Sequence, residues 1–212
     1  MSGNDETGGS RTGTPARAIN VLMAGVGGQG VLLASETLAL AALSEGLEAK
    51  QSEVHGVAQR GGSVVSHVRF GDRVNSPLIR SGEVDFLYAG ERLEALRYAH
   101  YVKPGGTFVM DDRAIKPIHI AEGPEPPYPD KVPEFLRGKG YDVIVVPALQ
   151  TAVELGDQRC ANIALLGALS SRLPLGENSW AAALEKRMKP KILELNQRAF
   201  AAGRNLAVPV TG

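Results

Sequence analysis

Residues 19–45 decide the fold of this 212-residue chain: the apolar run INVLMA (19–24) leads into Gly25-Val26-Gly27-Gly28-Gln29-Gly30, and the segment VLLASETLALAALSE (31–45) follows. A short apolar run that ends in glycines is typical of a buried strand. The next segment is rich in helix formers, and Gly46 is a typical helix stop. The order strand, glycine turn, helix is the context that a G-x-G-x-x-G motif requires, and it predicts a Rossmann-like start.

The glycine turn suggests that the chain captures an anion. Glycines let backbone N–H groups approach a phosphate closely, and the N-terminus of the following helix adds about half a positive charge. Glu53 falls near the end of the second predicted strand, where a dinucleotide-binding fold places its ribose carboxylate. A bound NAD or FAD is therefore one hypothesis, and a tight turn that only allows close packing is another.

Further strands and helices alternate along the chain. Apolar runs predict strands at 47–53, 63–70, 85–89, 107–110 and 141–146, and helical patterns cover 91–102, 159–173, 179–188 and 191–202. Pro104-Gly105-Gly106 is expected to halt the first of these helices. The alternation predicts an α/β fold, a three-layer α/β/α domain with a largely parallel or mixed sheet and a helical C-terminal part.

One domain accounts for most of the chain. Residues 1–17 are polar and rich in Gly, Ser and Thr, which predicts a disordered tail, and 205–212 are expected to form a C-terminal tail. The single domain then spans 18–204. Within it, 117–133 holds six of the 13 prolines and is expected to be an extended connector, either a plain surface loop or a partner-docking segment.

A second cluster of glycines, at 56, 61 and 62, frames a dense set of polar side chains. Glu53, His55, Gln59 and Arg60 lie within eight residues, which predicts a site or an interface because loops next to a rigid scaffold often carry function. No nucleophile signature stands beside His55, and the other histidines have no metal-ligand spacing with it. We expect no metal site in this chain.

Composition excludes several classes of protein. The chain has 23 Lys and Arg against 23 Asp and Glu, so it lacks the basic surplus of nucleic-acid-binding proteins. Cys160 is the single cysteine, so the chain alone can build neither a disulfide nor a cysteine-ligated iron–sulfur cluster. A reducing, cytoplasmic location is expected. Neither a signal peptide nor a membrane-spanning run is evident.

Several segments closely resemble the gamma-type domain of 2-oxoacid:ferredoxin oxidoreductases. They are NVLMAGVGGQGVLLASE (20–36), SEVHGVAQRGGSVVSHVRFG (52–71), NSPLI (75–79), EVDFLYAGERLEALR (83–97), the Tyr128-Pro129 pair, CANIALLG (160–167) and NQRAFAAG (196–203). The resemblance covers about residues 18–204. Within the family, the chain is most similar to the small subunits of members that oxidise indolepyruvate.

The resemblance implies a subunit of an enzyme that oxidatively decarboxylates an arylpyruvate with coenzyme A and passes electrons to ferredoxin. Family members use thiamine diphosphate, Mg²⁺ and iron–sulfur clusters. One cysteine cannot hold a cluster, and no run that would cradle thiamine diphosphate and Mg²⁺ is evident beyond the glycine turn. These groups are therefore expected on a large alpha subunit, in a hetero-oligomer that is a dimer of heterodimers.

The candidate residues would then complete a site. The glycine turn (Gly25, Gly27, Gly28, Gln29, Gly30) would meet an anionic group or the partner. Glu53, His55 and Arg60 are the candidates for catalysis, and Gln59, Arg60, Gly61 and Gly62 would contact the cofactor or the partner. Two alternatives stay open: a stand-alone NAD(P)- or FAD-binding oxidoreductase, and a non-catalytic assembly subunit.

Overall fold

The computed structural model describes residues 17–55, 62–116 and 128–207. For Val54 and His55 it describes the backbone only. Within these ranges one six-stranded sheet has the order β2-β3-β1-β4-β5-β6. The strands are β1 Ile19–Val26, β2 Glu48–His55, β3 Ser63–Gly71, β4 Val84–Ala89, β5 Val102–Asp111 and β6 Asp142–Val146. β3 runs antiparallel to β1 and β2, and β1, β4, β5 and β6 are parallel. The sheet is therefore mixed, as the sequence predicted.

Helices cover both faces of the sheet. They are α1 Val31–Ser44, α2 Arg92–Arg97, α3 Val132–Gly138, α4 Ala148–Glu154, α5 Ala161–Ser170, α6 Glu177–Arg187 and α7 Pro190–Leu206. Alternate residues of β1 show the two cores: Val21 and Met23 pack with α1, α5, α6 and α7, whereas Leu22 and Ala24 pack with α2 and α3. Successive side chains of a strand point to opposite faces, so the predicted three-layer α/β/α fold is confirmed.

The helical C-terminal part is built around α5, all of whose residues are buried. α5 crosses α7 at unusually short range, and two glycines make this possible. A Cβ at Gly167 would lie 2.0 Å from the Phe200 carbonyl oxygen, and one at Gly203 would lie 1.7 Å from that of Ala164. The segment NQRAFAAG thus acts as a packing surface of the core.

The predicted helix over 91–102 was wrong in its extent. Glu91 caps α2, which ends at Arg97, a 3-10 turn spans Ala99–Tyr101, and Val102 already begins β5. Pro104-Gly105-Gly106 lies inside β5, because a shift in register against β4 between Val84 and Phe86 accommodates it. Local composition indicated a helix stop here, whereas strand pairing determined the result.

Other boundaries also differ. α3 begins at Val132, inside the predicted 117–133 connector, because Pro133 is tolerated in the first turn of a helix. α4 was missed, and α7 continues to Leu206, beyond the predicted boundary at 204. Residues 1–16, 117–127 and 208–212 lie outside the described residues. Among the described helices, none is long and apolar enough to cross a membrane.

Candidate functional site

The predicted glycine turn lies at the carboxyl edge of the sheet, where β1 and β4 end side by side. α1 leaves β1 toward one face and α2 leaves β4 toward the other. Such a reversal opens a crevice at the strand ends, which is the usual ligand position in open α/β sheets. The location agrees with the sequence motif.

Gln29 closes the central part of this crevice. Its Oε1 accepts from the Val26 backbone N–H at 2.7 Å, and its Nε2 donates to the Gly90 carbonyl oxygen at 2.8 Å. A Cβ at Gly25 or Gly90 would lie 2.9 or 2.6 Å from Gln29 Oε1. These glycines are therefore required to admit the glutamine side chain, and this part of the motif is structural.

Gly30 serves two purposes at the start of α1. Its φ of 74° lies in the left-handed region that favours glycine. Asn162 Nδ2 donates to the Gly30 carbonyl oxygen at 3.0 Å, and a Cβ on Gly30 would lie 2.5 Å from that nitrogen. No side chain of the described residues caps α1. The helix N-terminus is thus anchored by α5 and keeps N–H groups that a ligand can use.

Beside this anchor, on the α1 face of the sheet, lies a cavity of about 270 Å³. The turn contributes one wall, and the start of α5 contributes another, so two helix N-termini meet there. Helix N-termini attract anions. The lining residues are Gly28, Gln29, Gly30, Leu33, Arg113, Leu149, Gln158, Arg159, Ala161 and Asn162.

Two arginines line the cavity, and each is held by an aspartate. Arg113 Nη2 lies 2.8 Å from Asp111 Oδ2, and Arg159 Nη2 lies 2.6 Å from Asp157 Oδ2. Burial raises the pKa of Asp111, with Arg113 opposing the shift. Hydrogen bonds from Arg159 lower the pKa of Asp157 to about 2. Each aspartate holds its arginine in place, and each guanidinium group has further N–H donors that can bind an anion in the cavity.

Two buried polar atoms of this wall have no hydrogen-bond partner among the described residues. They are Asn162 Oδ1 and Arg113 Nε. Asn162 is only 5% exposed. A buried polar atom without a partner costs about 1–3 kcal/mol, so such atoms call for a ligand or an ordered water. The cavity therefore offers a hydrogen-bond acceptor, a hydrogen-bond donor and two helix N-termini together.

The other face of the same edge carries a buried acidic pair on the first turn of α2. Glu91 Oε2 accepts from the Tyr128 hydroxyl at 2.6 Å, and Tyr128 accepts from the Leu93 backbone N–H at 2.9 Å. Glu94 accepts from the Ser63 hydroxyl and, at 3.0 Å, from Arg97 Nε. The acidic pair thus holds β3 and the chain at Tyr128 against α2.

The structure brings the ends of both glycine clusters together. The Gly27 backbone N–H donates to the Gly62 carbonyl oxygen at 2.8 Å, and Val26 pairs with Ser63 where β3 begins. The predicted residues Gln59, Arg60 and Gly61 lie outside the described residues, as does the His55 side chain. The contacts of Gly27 with Gly62 and of Val26 with Ser63 show that the two glycine clusters meet at the carboxyl edge of the sheet.

Glu53 does not occupy the position that a dinucleotide site requires. It pairs with Ser66 of β3, which pairs in turn with Met23 of β1. A Rossmann ribose carboxylate ends the strand next to β1, but here β3 occupies that place. The placement of Glu53 predicted from the dinucleotide motif was therefore wrong, because an inserted antiparallel strand separates it from the glycine turn.

The described residues do not fit a metal centre or a cluster. Within 17–55, 62–116 and 128–207, no group of three or more His, Cys, Asp or Glu side chains could hold a metal ion. Cys160 is buried, its thiol donates to the Asp157 carbonyl oxygen at 2.9 Å, and burial raises its pKa. A raised pKa disfavours the thiolate form that ligates metals.

Sequence reasoning missed the residues that complete this edge, namely Glu91, Glu94, Arg113, Tyr128 and Asn162. The signal for Asn162 was a polar residue inside the otherwise apolar run ANIALL (161–166). In the sequence, Glu91 and Glu94 resemble ordinary charged residues on the surface of a helix. Their burial follows from the contacts with β3 and Tyr128, which are distant in sequence.

Comparison with known proteins agrees with this geometry. Residues 20–206 match the family model described as pyruvate ferredoxin/flavodoxin oxidoreductase. The chain is 35% identical over 198 residues to "Indolepyruvate oxidoreductase subunit IorB" from Thermococcus kodakarensis, which covers 91% of this chain and 98% of that protein.

Two solved structures share the fold. The gamma subunit of a keto/oxoacid ferredoxin oxidoreductase from Geobacter sulfurreducens has a TM-score of 0.69 at 26% identity, covering 89% of this chain and 98% of that one. A 2-oxoglutarate:ferredoxin oxidoreductase from Magnetococcus marinus, solved with 2-oxoglutarate, coenzyme A and succinyl-CoA bound, has a TM-score of 0.70 at 27% identity. It is matched over 90% of this chain and 31% of that one.

Proposed function

The chain belongs to the pyruvate ferredoxin/flavodoxin oxidoreductase family, and from that membership we propose that it is the small subunit of a 2-oxoacid:ferredoxin oxidoreductase. Its substrate is an arylpyruvate such as indolepyruvate, which is oxidatively decarboxylated to an acyl-CoA. The near-complete mutual coverage with an indolepyruvate oxidoreductase subunit supports this assignment. The observation that carries the role of this chain is the cavity at the glycine turn, with two helix N-termini and two arginines.

The large partner subunit is proposed to carry thiamine diphosphate, Mg²⁺ and the iron–sulfur clusters. For the clusters, support comes from the single cysteine of the chain, whose buried thiol has a raised pKa. When bound, thiamine diphosphate supplies the carbanion chemistry of decarboxylation. The complex is proposed to be a dimer of heterodimers in the cytoplasm that delivers electrons to ferredoxin.

The cavity is proposed to receive the diphosphate of coenzyme A. The oxygens of a diphosphate suit the free N–H groups of α1 and the guanidinium groups of Arg113 and Arg159. The related Magnetococcus enzyme binds coenzyme A. This chain would thus position the acyl acceptor while the partner performs the redox chemistry.

The loop that precedes β3 is proposed to face the partner's active site. Gly62 at its end is fixed to the glycine turn through Gly27. Arg60 would pair with a carboxylate or phosphate there, Glu53, His55 and Gln59 would contribute polar contacts, and Gly61 would allow close approach. These roles rest on the position of the loop's two ends at the carboxyl edge.

The test is steady-state kinetics of the complex, co-expressed with its large subunit, with indolepyruvate, coenzyme A and ferredoxin. Arg159→Gln and Arg113→Gln should each raise the KM for coenzyme A roughly tenfold or more, since a charge-assisted hydrogen bond contributes about 1.5–3 kcal/mol. The KM for indolepyruvate should not change. The exposed Arg172→Gln is the control. Unchanged KM values for coenzyme A in both variants would refute the proposed cavity role.

A second set of variants separates active-site completion from pure assembly. His55→Ala, Gln59→Ala and Arg60→Ala should lower turnover per assembled complex, measured at matched complex concentration after gel filtration. If these variants change only the yield of complex, the chain is an assembly subunit. Titration of the isolated chain with NADH by calorimetry checks the dinucleotide alternative, for which micromolar binding would be required.

A further inference from the structure

The acidic pair of α2 is more deeply buried than its chemistry would favour. Glu91 is 1% exposed and Glu94 3% exposed. Burial raises the pKa of Glu94, the Glu91 charge adds to the shift, and the Ser63 hydroxyl and Arg97 oppose it. The Arg97 side chain is itself 49% exposed, so the ion pair is screened by water. For folding alone, a neutral acceptor would avoid the desolvation cost of these carboxyl groups.

A short path of contacts links Glu94 to the glycine turn. Glu94 Oε2 accepts from the Ser63 hydroxyl, whose oxygen also lies 3.0 Å from the Tyr98 hydroxyl. Ser63 directly follows Gly62, and the Gly62 carbonyl oxygen accepts from the Gly27 backbone N–H at 2.8 Å. Gly28, the next residue of the turn, lines the cavity. A continuous series of contacts therefore connects the Glu94 side chain to one wall of the cavity.

We propose that Glu94 is a positioning residue: by holding Ser63 it fixes Gly62 against Gly27 and so sets the geometry of the glycine turn for its anionic ligand. This inference rests on the proposed function, in which that ligand is coenzyme A. Glu94 does not line the cavity at the glycine turn, because it lies on the α2 face of the sheet and that cavity lies on the α1 face.

The chemistry of Glu94 predicts which substitution is informative. Its two oxygens accept from two different donors, Ser63 and Arg97. In Glu94→Gln the NH₂ group can donate to the Ser63 hydroxyl oxygen while the remaining oxygen accepts from Arg97, so both contacts can persist. Glu94→Met, by contrast, removes both acceptor oxygens and keeps a side chain of similar length. Ser63→Ala removes the same contact from the other side. If both act through that contact, their effects on the turn cannot be additive.

The experiment compares Glu94→Met, Ser63→Ala and the double variant in the co-expressed complex. Each single variant should raise the KM for coenzyme A three- to tenfold with little change in the KM for the 2-oxoacid, and the double variant should be no worse than the worse single one. Amide hydrogen exchange of residues 25–30 should be faster in all three. The prediction does not require the variants to have the melting temperature of the wild type.

The matched control is Asp85→Asn. Asp85 is also a poorly exposed carboxylate, at 13%, and it accepts from the Asn20 backbone N–H at 2.8 Å near the start of β1, at the opposite edge of the sheet. Asp85→Asn should lower the melting temperature without changing the KM for coenzyme A or the exchange of residues 25–30.

Two results would overturn the positioning role: wild-type exchange of residues 25–30 in Glu94→Met, or effects on the KM for coenzyme A that multiply in the double variant. Failure of the proposed function has a different signature. There the wild-type complex would not turn over a 2-oxoacid with coenzyme A, while hydrogen exchange would still report whether Glu94 holds the turn.

Discussion

Asn162, in the first turn of α5, donates its side-chain amide to the carbonyl oxygen of Gly30, at the start of α1, with an Nδ2–O distance of 3.0 Å. This contact joins two helix N-termini across 132 positions of the sequence. It makes the glycine turn part of the protein core on one side while the cavity stays open on the other. The motif therefore combines packing with ligand capture.

The first prediction concerns that contact. Gly30→Ala should lower the free energy of unfolding by roughly 2–4 kcal/mol, because a left-handed φ costs a non-glycine residue about 1–2 kcal/mol and Asn162 must also move. Urea denaturation measures the loss. The control is Gly46→Ala, whose φ of 80° is similar but whose Cβ meets nothing within 4 Å. Equal losses of unfolding free energy in both variants would show that Asn162 moves away from a Cβ at position 30 without cost.

The second prediction concerns the crossing of α5 and α7. Gly203→Ala should destabilise the chain by about 3 kcal/mol or more, since its Cβ would overlap the Ala164 carbonyl oxygen and force the helices apart. Gly138→Ala, where a Cβ meets nothing within 4 Å, should be neutral or slightly stabilising. Thermal unfolding followed by circular dichroism compares the two. A wild-type melting temperature for Gly203→Ala would contradict the close crossing.

The third prediction concerns Gln29. Gln29→Ala removes the hydrogen bonds to Val26 and Gly90 and should cost about 2–3 kcal/mol of unfolding free energy, since it leaves backbone groups at the crevice without partners. Gln150→Ala on the exposed side of α4, where the amide donates to Glu154, should cost less than about 0.5 kcal/mol. Chemical denaturation distinguishes them. Similar losses would mean that water replaces Gln29 without penalty.

The fourth prediction concerns pH. His67 is 6% exposed, its Nδ1 accepts from the Ile79 backbone N–H at 3.2 Å, and burial lowers its pKa below 6.5. The unfolded chain therefore binds this proton more readily, so His67 contributes a loss of stability as pH falls below about 6.5. The loss continues down to the folded-state pKa, with a slope of at most about 1.4 kcal/mol per pH unit.

His67→Gln should flatten this part of the stability profile between pH 7.5 and 5.5, measured by urea denaturation at each pH. The exposed His100→Gln is the control and should keep the wild-type slope. Glu94 and Asp111 act in the opposite direction, since burial raises their pKa and their contribution falls as pH rises above the unfolded values near 4. A wild-type slope in His67→Gln would exclude His67 as the cause.

Local sequence patterns were sufficient for most of the sheet. β1, β3, β4 and β6 are short apolar or β-branched runs, and each was predicted within a few residues of its observed bounds. The glycine turn and α1 also followed from local chemistry, because a strand, glycines and a helix former in that order leave few alternatives. The resemblance to the oxidoreductase family rested in part on these segments, and also on NSPLI (75–79), the Tyr128-Pro129 pair, CANIALLG (160–167) and NQRAFAAG (196–203).

Contacts between distant residues decided the rest. The sequence determined that a Rossmann-like turn exists, but only the pairing of β3 between β1 and β2 moved Glu53 away from it. Likewise, nothing local shows that Glu94 is buried or that Asn162 reaches Gly30. The periodicity of apolar residues determines which side chains are buried. Strand order and helix crossing instead arise from packing between elements far apart in the chain, and this packing places the residues of the site.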